Sequence, residues 1–88
     1  MKLKYNLIVN EVAGKMVGVA VGDDINKFNG FVKTNAAGAE ILEILRNDVT
    51  IDEIVAKMAV KYPDADEAEV RTNVEKFVDG LKKEGVVE

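Results

Sequence analysis

Residues 35–62 read NAAGAEILEILRNDVTIDEIVAKMAVKY, and this stretch predicts two amphipathic helices joined by a short turn. Asn35 is a good N-cap for the first helix, which we expect to end at about Leu45. Thr50-Ile51-Asp52-Glu53 has the pattern of a capping box and opens the second helix, which Pro63 ends. Apolar residues recur along both segments at helical spacing, so each helix is expected to bury one face.

A third helix is predicted to open at Asp66. Gly80 lies within it and weakens it by about 1 kcal/mol relative to alanine. Gly85 is the expected C-cap, after which Val86-Val87 should return to the core or to a sheet. The buried stripe of this helix is expected to contain Val70, Val74, Phe77, Val78 and Leu81.

The first third of the chain has the pattern of β-structure. A second β-branched run, Met16 to Val21, follows the punctuation Ala13-Gly14, which predicts a hairpin. Gly18 within that run suggests a bulge or a close backbone approach. A polar loop from Asp23 to Gly30 then leads to a short third strand, Phe31-Val32-Lys33. The first strand is predicted by alternation at Leu3, Tyr5, Leu7 and Val9.

Strands followed by helices indicate the α+β class. We expect a three-stranded antiparallel sheet followed by three helices, arranged as a winged helix-turn-helix. The 88 residues correspond to a single domain, residues 1–88, on the usual relation between length and domain count.

The composition excludes several classes of function. The chain has no cysteine and no histidine. It therefore lacks a thiol nucleophile, the commonest general base and the commonest metal ligands. Acidic residues outnumber basic ones 16 to 12, and the resulting net charge of -4 argues against binding to nucleic acid or to an anionic membrane. No apolar run approaches the roughly 20 residues needed to cross a bilayer, and no signal peptide is evident. We therefore expect a cytoplasmic protein.

Acidic residues offer little support for a metal site or a catalytic site. Asp23-Asp24 lies near Asn26 and Asn29, but the spacing does not fit a calcium loop. Helix capping and solubility account for the paired carboxylates Glu40, Glu43, Asp52 and Glu53. We expect no metal, no cofactor and no catalytic residues.

The short third strand is the feature that suggests a function. A three-stranded sheet leaves edges whose unpaired N–H and C=O groups can template another strand. If Phe31-Val32-Lys33 runs beside the third helix, an extended peptide could add to the sheet in the groove between them. A Val32→Pro substitution should then weaken binding. The alternative, that Lys33 simply blunts a harmless edge, remains open on the pattern alone.

The helical part of the sequence resembles the PqqD family. The resemblance rests on residues 35–45, on the Thr-x-x-Glu-Ile pattern of Thr50 to Ile54, and on an ending that contains Val70, Asn73-Val74, Phe77-Val78, Leu81 and Gly85-Val86. It implies a winged helix-turn-helix that does not bind DNA. It also implies a peptide chaperone that holds the leader segment of a ribosomally made precursor peptide as an added strand. Such a protein presents its precursor to a radical S-adenosylmethionine protein or another peptide-modifying enzyme, as in pyrroloquinoline quinone synthesis.

Carried onto this sequence, the resemblance implies a site with two sides. The peptide-facing strand would be Gly30, Phe31, Val32 and Lys33. The wall contributed by the third helix would consist of Arg71, Val74, Glu75, Val78 and Lys82.

Two other functions remain open at this point. Arg71, Lys76, Lys82 and Lys83 could form a DNA-recognition surface on a winged helix, although interleaved acidic residues oppose its field. The third strand could also pair with a second copy of the chain, which would make the protein a homodimerising structural module. We expect a monomer or a weak homodimer.

Overall fold

The computed structural model describes residues 1–28 and 30–88. Asn29, which belongs to the predicted polar loop, lies outside the described residues. Three strands come first in the chain, β1 (Leu7–Val12), β2 (Lys15–Ala20) and β3 (Phe31–Thr34). A short 3-10 turn, Gly22–Asp24, lies between β2 and β3. Three helices follow, α1 (Ala36–Ile44), α2 (Ile51–Lys61) and α3 (Glu67–Lys83).

The three strands form one antiparallel sheet in the order β1-β2-β3. The predicted fold class, a three-stranded antiparallel sheet followed by three helices, is confirmed, and the arrangement is compatible with a winged helix-turn-helix. The predicted hairpin is also confirmed. Ala13 and Gly14 both have positive φ, 52° and 80°, as a two-residue type I′ turn requires.

The predicted first strand begins too early. Leu3 is buried but lies outside β1, where it forms an isolated bridge with Val87. The N–H of Lys4 donates to the carbonyl of Val86 at 2.8 Å, so the N-terminal residues pair with the C-terminal tail. The apolar residues do alternate, but the alternation covers two separate segments: Leu3 pairs with the C-terminal tail, whereas β1 pairs with β2. The return of the tail to the core is confirmed, because Val86 and Val87 are both buried.

Gly18 is part of an uninterrupted ladder, so the bulge suggested there is absent. A Cβ at this position would lie 3.6 Å from Val9 Cγ2 and 3.8 Å from Leu42 Cδ1, which are ordinary contacts. The glycine leaves the inner face of the sheet flat where α1 packs against it.

Local capping signals set the helix boundaries. The Asn35 side chain accepts the N–H of Gly38 at 2.8 Å. Thr50 and Glu53 form the complete capping box, with both reciprocal hydrogen bonds present. At the far end, Gly85 has a φ of +75°, and the N–H of Val86 donates to the carbonyl of Leu81, which completes a Schellman motif.

The core lies between the inner face of the sheet and the three helices. Its most deeply buried side chains come from β1, all three helices and the C-terminal tail. The fully buried members of the core are Leu7, Leu42, Leu45, Ile54, Val55, Val74 and Val86.

Within the described residues, no helix is both long and apolar enough to cross a membrane.

Candidate peptide-binding groove

One edge of the sheet is free along β3. Within the described part of the chain, β3 is hydrogen-bonded to β2 on one side and to no strand on the other. A strand at an edge presents backbone groups in alternation, because successive residues point their N–H and C=O to opposite sides. The register therefore determines which residues of β3 have free backbone groups.

The N–H of Val21 donates to the carbonyl of Asn6 at 3.0 Å, just beyond the last pair of the β1–β2 ladder. The odd-numbered residues of β2 consequently point their backbone groups toward β1, and the even-numbered ones point toward β3. Gly18 is paired with Val32, so Val32 points its backbone groups toward β2. It follows that Phe31 and Lys33 direct their N–H and C=O groups to the open edge.

The side chains of β3 alternate as well. Val32 is 5% exposed and belongs to the core, whereas Phe31 is 58% exposed on the outer face of the sheet. Lys33 is exposed, and Gly30 is exposed just before the strand begins. A proline at Val32 would therefore disturb both the core and the ladder to β2. Lys33 is the residue at which a substitution tests the open edge.

A groove of about 210 Å³ separates β3 from the C-terminal half of α3. Val32 and Lys33 contribute to its lining from the strand. The helix contributes apolar surface, space where a side chain is missing, and one charge of each sign. The residues are Lys76, Phe77, Gly80 and Leu81 of α3 and its C-cap residue Glu84.

Gly80 is responsible for part of the width of the groove. A Cβ added there would have no atom within 4 Å among the described residues. The sequence marks Gly80 as a weak point of the helix, yet the cost in helix stability leaves room beside the sheet edge. Gly80, a glycine inside the amphipathic third helix, is the sequence signal that could have identified the α3 side of the groove.

The five helical residues predicted for the wall do not line this groove. Val74 and Val78 are 1% and 2% exposed and belong to the core. Arg71 points toward α2, where its Nη1 lies 2.8 Å from Asp52 Oδ1. Glu75 and Lys82 are exposed, and neither contributes to the lining.

This difference has a geometric cause. At about 100° per residue, Arg71, Glu75 and Lys82 fall on one flank of the buried stripe of α3. Lys76, Gly80 and Glu84 fall on the other flank, which faces the sheet. The amphipathic pattern identifies the buried stripe but does not say which flank meets the sheet and which meets α2.

The described residues of the polar loop between β2 and β3 do not line the groove. The ring of Phe28 stacks on Tyr5 with 5.5 Å between centroids and 9° between planes. Asp24 Oδ2 accepts the N–H of Asn6 at 2.7 Å, so the loop is attached to the segment before β1. None of the described loop residues, 22–28, lines the groove.

The carboxylates that were considered for catalysis are engaged in structural contacts. Glu43 pairs with Arg46, and this hydrogen bond lowers the pKa of Glu43 below its ordinary value. Glu40 pairs with Lys61 at 2.5 Å and raises the pKa of that amine. Asp52 pairs with Arg71, and Glu53 closes the capping box. Across residues 1–28 and 30–88, no three acidic side chains are grouped as a metal site would require.

A small sheet with an open edge beside a groove is an arrangement to which an extended peptide can add as a strand. The comparison with known families is more specific. The sequence model of "Coenzyme PQQ synthesis protein D (PqqD)" matches residues 8–87. The chain belongs to the PqqD family, and the resemblance noted from its helical motifs is confirmed.

A solved structure has the same fold. It is described as "TbiB1 in Complex with the TbiA(beta) Leader Peptide", and it superposes with a TM-score of 0.72 at 18% sequence identity. The match covers 100% of this chain and 95% of that chain. No curated protein sequence matches the chain.

Proposed function

We propose that this protein binds the leader segment of a ribosomally made precursor peptide as a fourth strand and presents the precursor to a modifying enzyme. The observation that carries the proposal is the pair of outward-facing backbone positions, Phe31 and Lys33, beside the groove that β3 forms with α3. Membership of the PqqD family supports it. The fold neighbour, whose description names a bound leader peptide, supports it as well.

Binding would extend the antiparallel sheet by one strand. Phe31 and Lys33 each offer one N–H and one C=O to the guest, and each backbone hydrogen bond contributes roughly 0.5–1.5 kcal/mol net. Alternate side chains of the guest would enter the groove and contact Phe77 and Leu81 in the space left by Gly80. The remaining side chains would lie on the outer face of the sheet next to Phe31. Gly30 and Val32 would contribute indirectly, as neighbours in the chain of Phe31 and Lys33, whose backbone groups face the guest.

The helical wall in this proposal consists of Lys76, Phe77, Gly80, Leu81 and Glu84. It replaces Arg71, Val74, Glu75, Val78 and Lys82, which lie in the core or on the other flank of α3. Lys76 and Glu84 carry opposite charges, so the wall has no strong charge preference of its own. Specificity would therefore come from the apolar side chains of the guest and from its backbone.

Presentation requires that only part of the guest is held. β3 has four residues, so it pairs with only a few residues of the guest, and the rest of the precursor would stay free for the enzyme. The proposed partner is a radical S-adenosylmethionine protein or another peptide-modifying enzyme, in pyrroloquinoline quinone synthesis or a related modified-peptide pathway. We propose that the protein has no catalytic step, needs no cofactor and acts in the cytoplasm, where ribosomal precursors are made.

A displayed library of random peptides, selected on the wild-type protein, provides ligands without knowledge of the natural precursor. Affinities of the selected peptides are then measured by calorimetry for the wild type, Lys33→Pro and Lys33→Ala. Proline removes the outward N–H of residue 33 at a position where edge strands tolerate it, whereas alanine keeps that N–H. We expect Lys33→Pro to bind about fivefold or more weakly than Lys33→Ala, the equivalent of one hydrogen bond of about 1 kcal/mol, because both variants lose the lysine side chain and only proline loses the N–H.

The same material tests the alternatives. Retardation of duplex DNA in a gel at low salt would favour a DNA-binding winged helix. Pairing of β3 with a second copy would be favoured if the sedimentation coefficient of the wild type rose with protein concentration and that of Lys33→Pro did not. Equal affinity of Lys33→Pro and wild type for every selected peptide, with the circular dichroism spectrum unchanged, would rule out strand addition at β3.

A further inference from the structure

A second cavity, of about 170 Å³, lies among the three helices. No charged side chain is among its lining residues. Each helix contributes apolar groups, and the segment between α2 and α3 closes one side with Ala65. The main lining residues are Ala37, Ile41, Met58, Tyr62, Val70 and Asn73.

This cavity and the groove beside β3 lie along one side of α3. Asn73 lines the cavity, Gly80 lines the groove, and Phe77 lies between them on the same flank of the helix. Gly80 lies seven positions after Asn73, which is about 10 Å along the helix at 1.5 Å per residue. An extended chain covers that distance in about three residues, at roughly 3.3 Å each.

The direction of the path is also fixed. β3 runs toward Thr34, and α1 follows at Ala36 and supplies Ala37 to the cavity. The cavity therefore lies beyond the C-terminal end of β3. A guest strand that continues the antiparallel pattern of the sheet runs in the opposite direction, so its residues N-terminal to the paired segment pass over the cavity.

We propose that this cavity, which we term the three-helix pocket, receives one large apolar side chain of the guest peptide. The anchor residue lies about three positions N-terminal to the segment paired with β3. This inference rests on the proposed function and adds a rule for which leader segments are recognised.

The size of the three-helix pocket determines the kind of occupant. A dry apolar cavity of about 150 Å³ accommodates a benzene molecule. A volume of about 170 Å³ therefore fits one aromatic ring or one branched aliphatic side chain. It does not fit a helix or the surface of a second copy. The absence of charged lining residues disfavours a charged side chain, because burial without a partner is costly.

The test uses the peptides selected on the wild-type protein. We expect the selected sequences, aligned on their β3-pairing segment, to share an aromatic or branched aliphatic residue about three positions N-terminal to it. Replacing that residue by alanine in a synthetic peptide should weaken binding by about tenfold or more, the loss expected for one buried large side chain. This substitution leaves the protein unchanged and carries no folding risk.

A protein variant tests the location. Ala65 is exposed and lines the three-helix pocket, so Ala65→Trp should fill it without disturbing the core. We expect Ala65→Trp to weaken anchored peptides and to leave the affinity of their alanine-substituted forms unchanged. The matched control is Ala68→Trp, at an exposed position of α3 outside the lining, which should bind like the wild type.

The outcomes separate the two claims. The selected peptides could depend on the Lys33 N–H, show no anchor residue and bind Ala65→Trp as tightly as the wild type. That outcome would overturn the proposed role of the three-helix pocket and leave the proposed function intact. Failure of the wild type to select any peptide would overturn both. Loss of binding in Ala65→Trp for anchored peptides alone would support both.

Discussion

Thr34 Oγ1 occupies the space directly above Gly38, so that a Cβ added to the glycine would lie 1.8 Å from it. The same Cβ would lie 2.9 Å from Thr34 Cβ and 3.1 Å from Phe77 Cε1. Gly38 thus allows the end of β3, the start of α1 and the middle of α3 to meet at one point. That point lies between the β3 groove and the three-helix pocket.

Gly38→Ala should therefore destabilise the protein although alanine is the better helix former. We expect a loss of about 1–3 kcal/mol in the free energy of unfolding, because Thr34 and Phe77 must move. Urea denaturation followed by circular dichroism measures the change. The matched control is Gly80→Ala, which meets no atom within 4 Å and should stabilise the protein by up to about 1 kcal/mol. A neutral or stabilising Gly38→Ala would show that the contact yields easily.

A larger side chain at Gly80 should separate stability from binding. Gly80→Gln removes a helix-breaking residue, so the thermal midpoint should stay the same or rise. Its side chain enters the space beside β3, so affinity for selected peptides should fall by about tenfold or more, the equivalent of about 1.4 kcal/mol. Calorimetry and thermal melts together check both effects.

The control for that variant lies on the other flank of α3. Glu75→Gln introduces the same side chain at an exposed position outside the groove and should leave affinity unchanged. If Glu75→Gln weakened binding and Gly80→Gln did not, the peptide would lie on the flank that the sequence alone suggested.

Stability should decrease on acidification through two surface carboxylates. Hydrogen bonds from Arg46 and from the N-terminal ammonium lower the folded-state pKa values of Glu43 and Asp48. A lowered folded pKa gives stability that is complete above the unfolded-state pKa, near pH 4–4.5, and that is lost as the pH falls through the folded value. We expect the thermal midpoint to decrease as the pH is lowered below about 4.5, and we expect a smaller decrease in Glu43→Gln.

Glu11→Gln is the control for this pH dependence. Glu11 is exposed on β1 and forms no ion pair within the described residues. The acid-induced fall in its thermal midpoint should follow the wild type more closely than that of Glu43→Gln. Identical curves for all three proteins would contradict a contribution from the Glu43–Arg46 pair.

The helix boundaries could be predicted because their signals are local. Asn35, Thr50 with Glu53, and Gly85 each act within one turn of the residues they cap, and the structure confirms all of these caps. The hairpin at Ala13-Gly14 belongs to the same group, because a two-residue turn depends on the φ of those two residues.

The features that were missed depend on contacts distant in sequence. Leu3 continues the alternation of β1, but it pairs with Val87 at the other end of the chain, which no local pattern reveals. The lining of the groove on α3 differs from the predicted wall for a similar reason. The stripe that includes Val74 and Val78 specifies what is buried, but it does not say which flank faces α2. The contact between Arg71 and Asp52 shows that the Arg71 flank does.

The central claim is that a guest peptide hydrogen-bonds to the open backbone positions of β3. Amide hydrogen exchange, measured residue by residue with and without a saturating selected peptide, tests it most directly. We expect the amides of Phe31 and Lys33 to exchange at least about tenfold more slowly in the complex, whereas those of Val32 and Thr34, already bonded to β2, change less. Slowing at α2 or α3 with unchanged exchange at Phe31 and Lys33 would contradict the account.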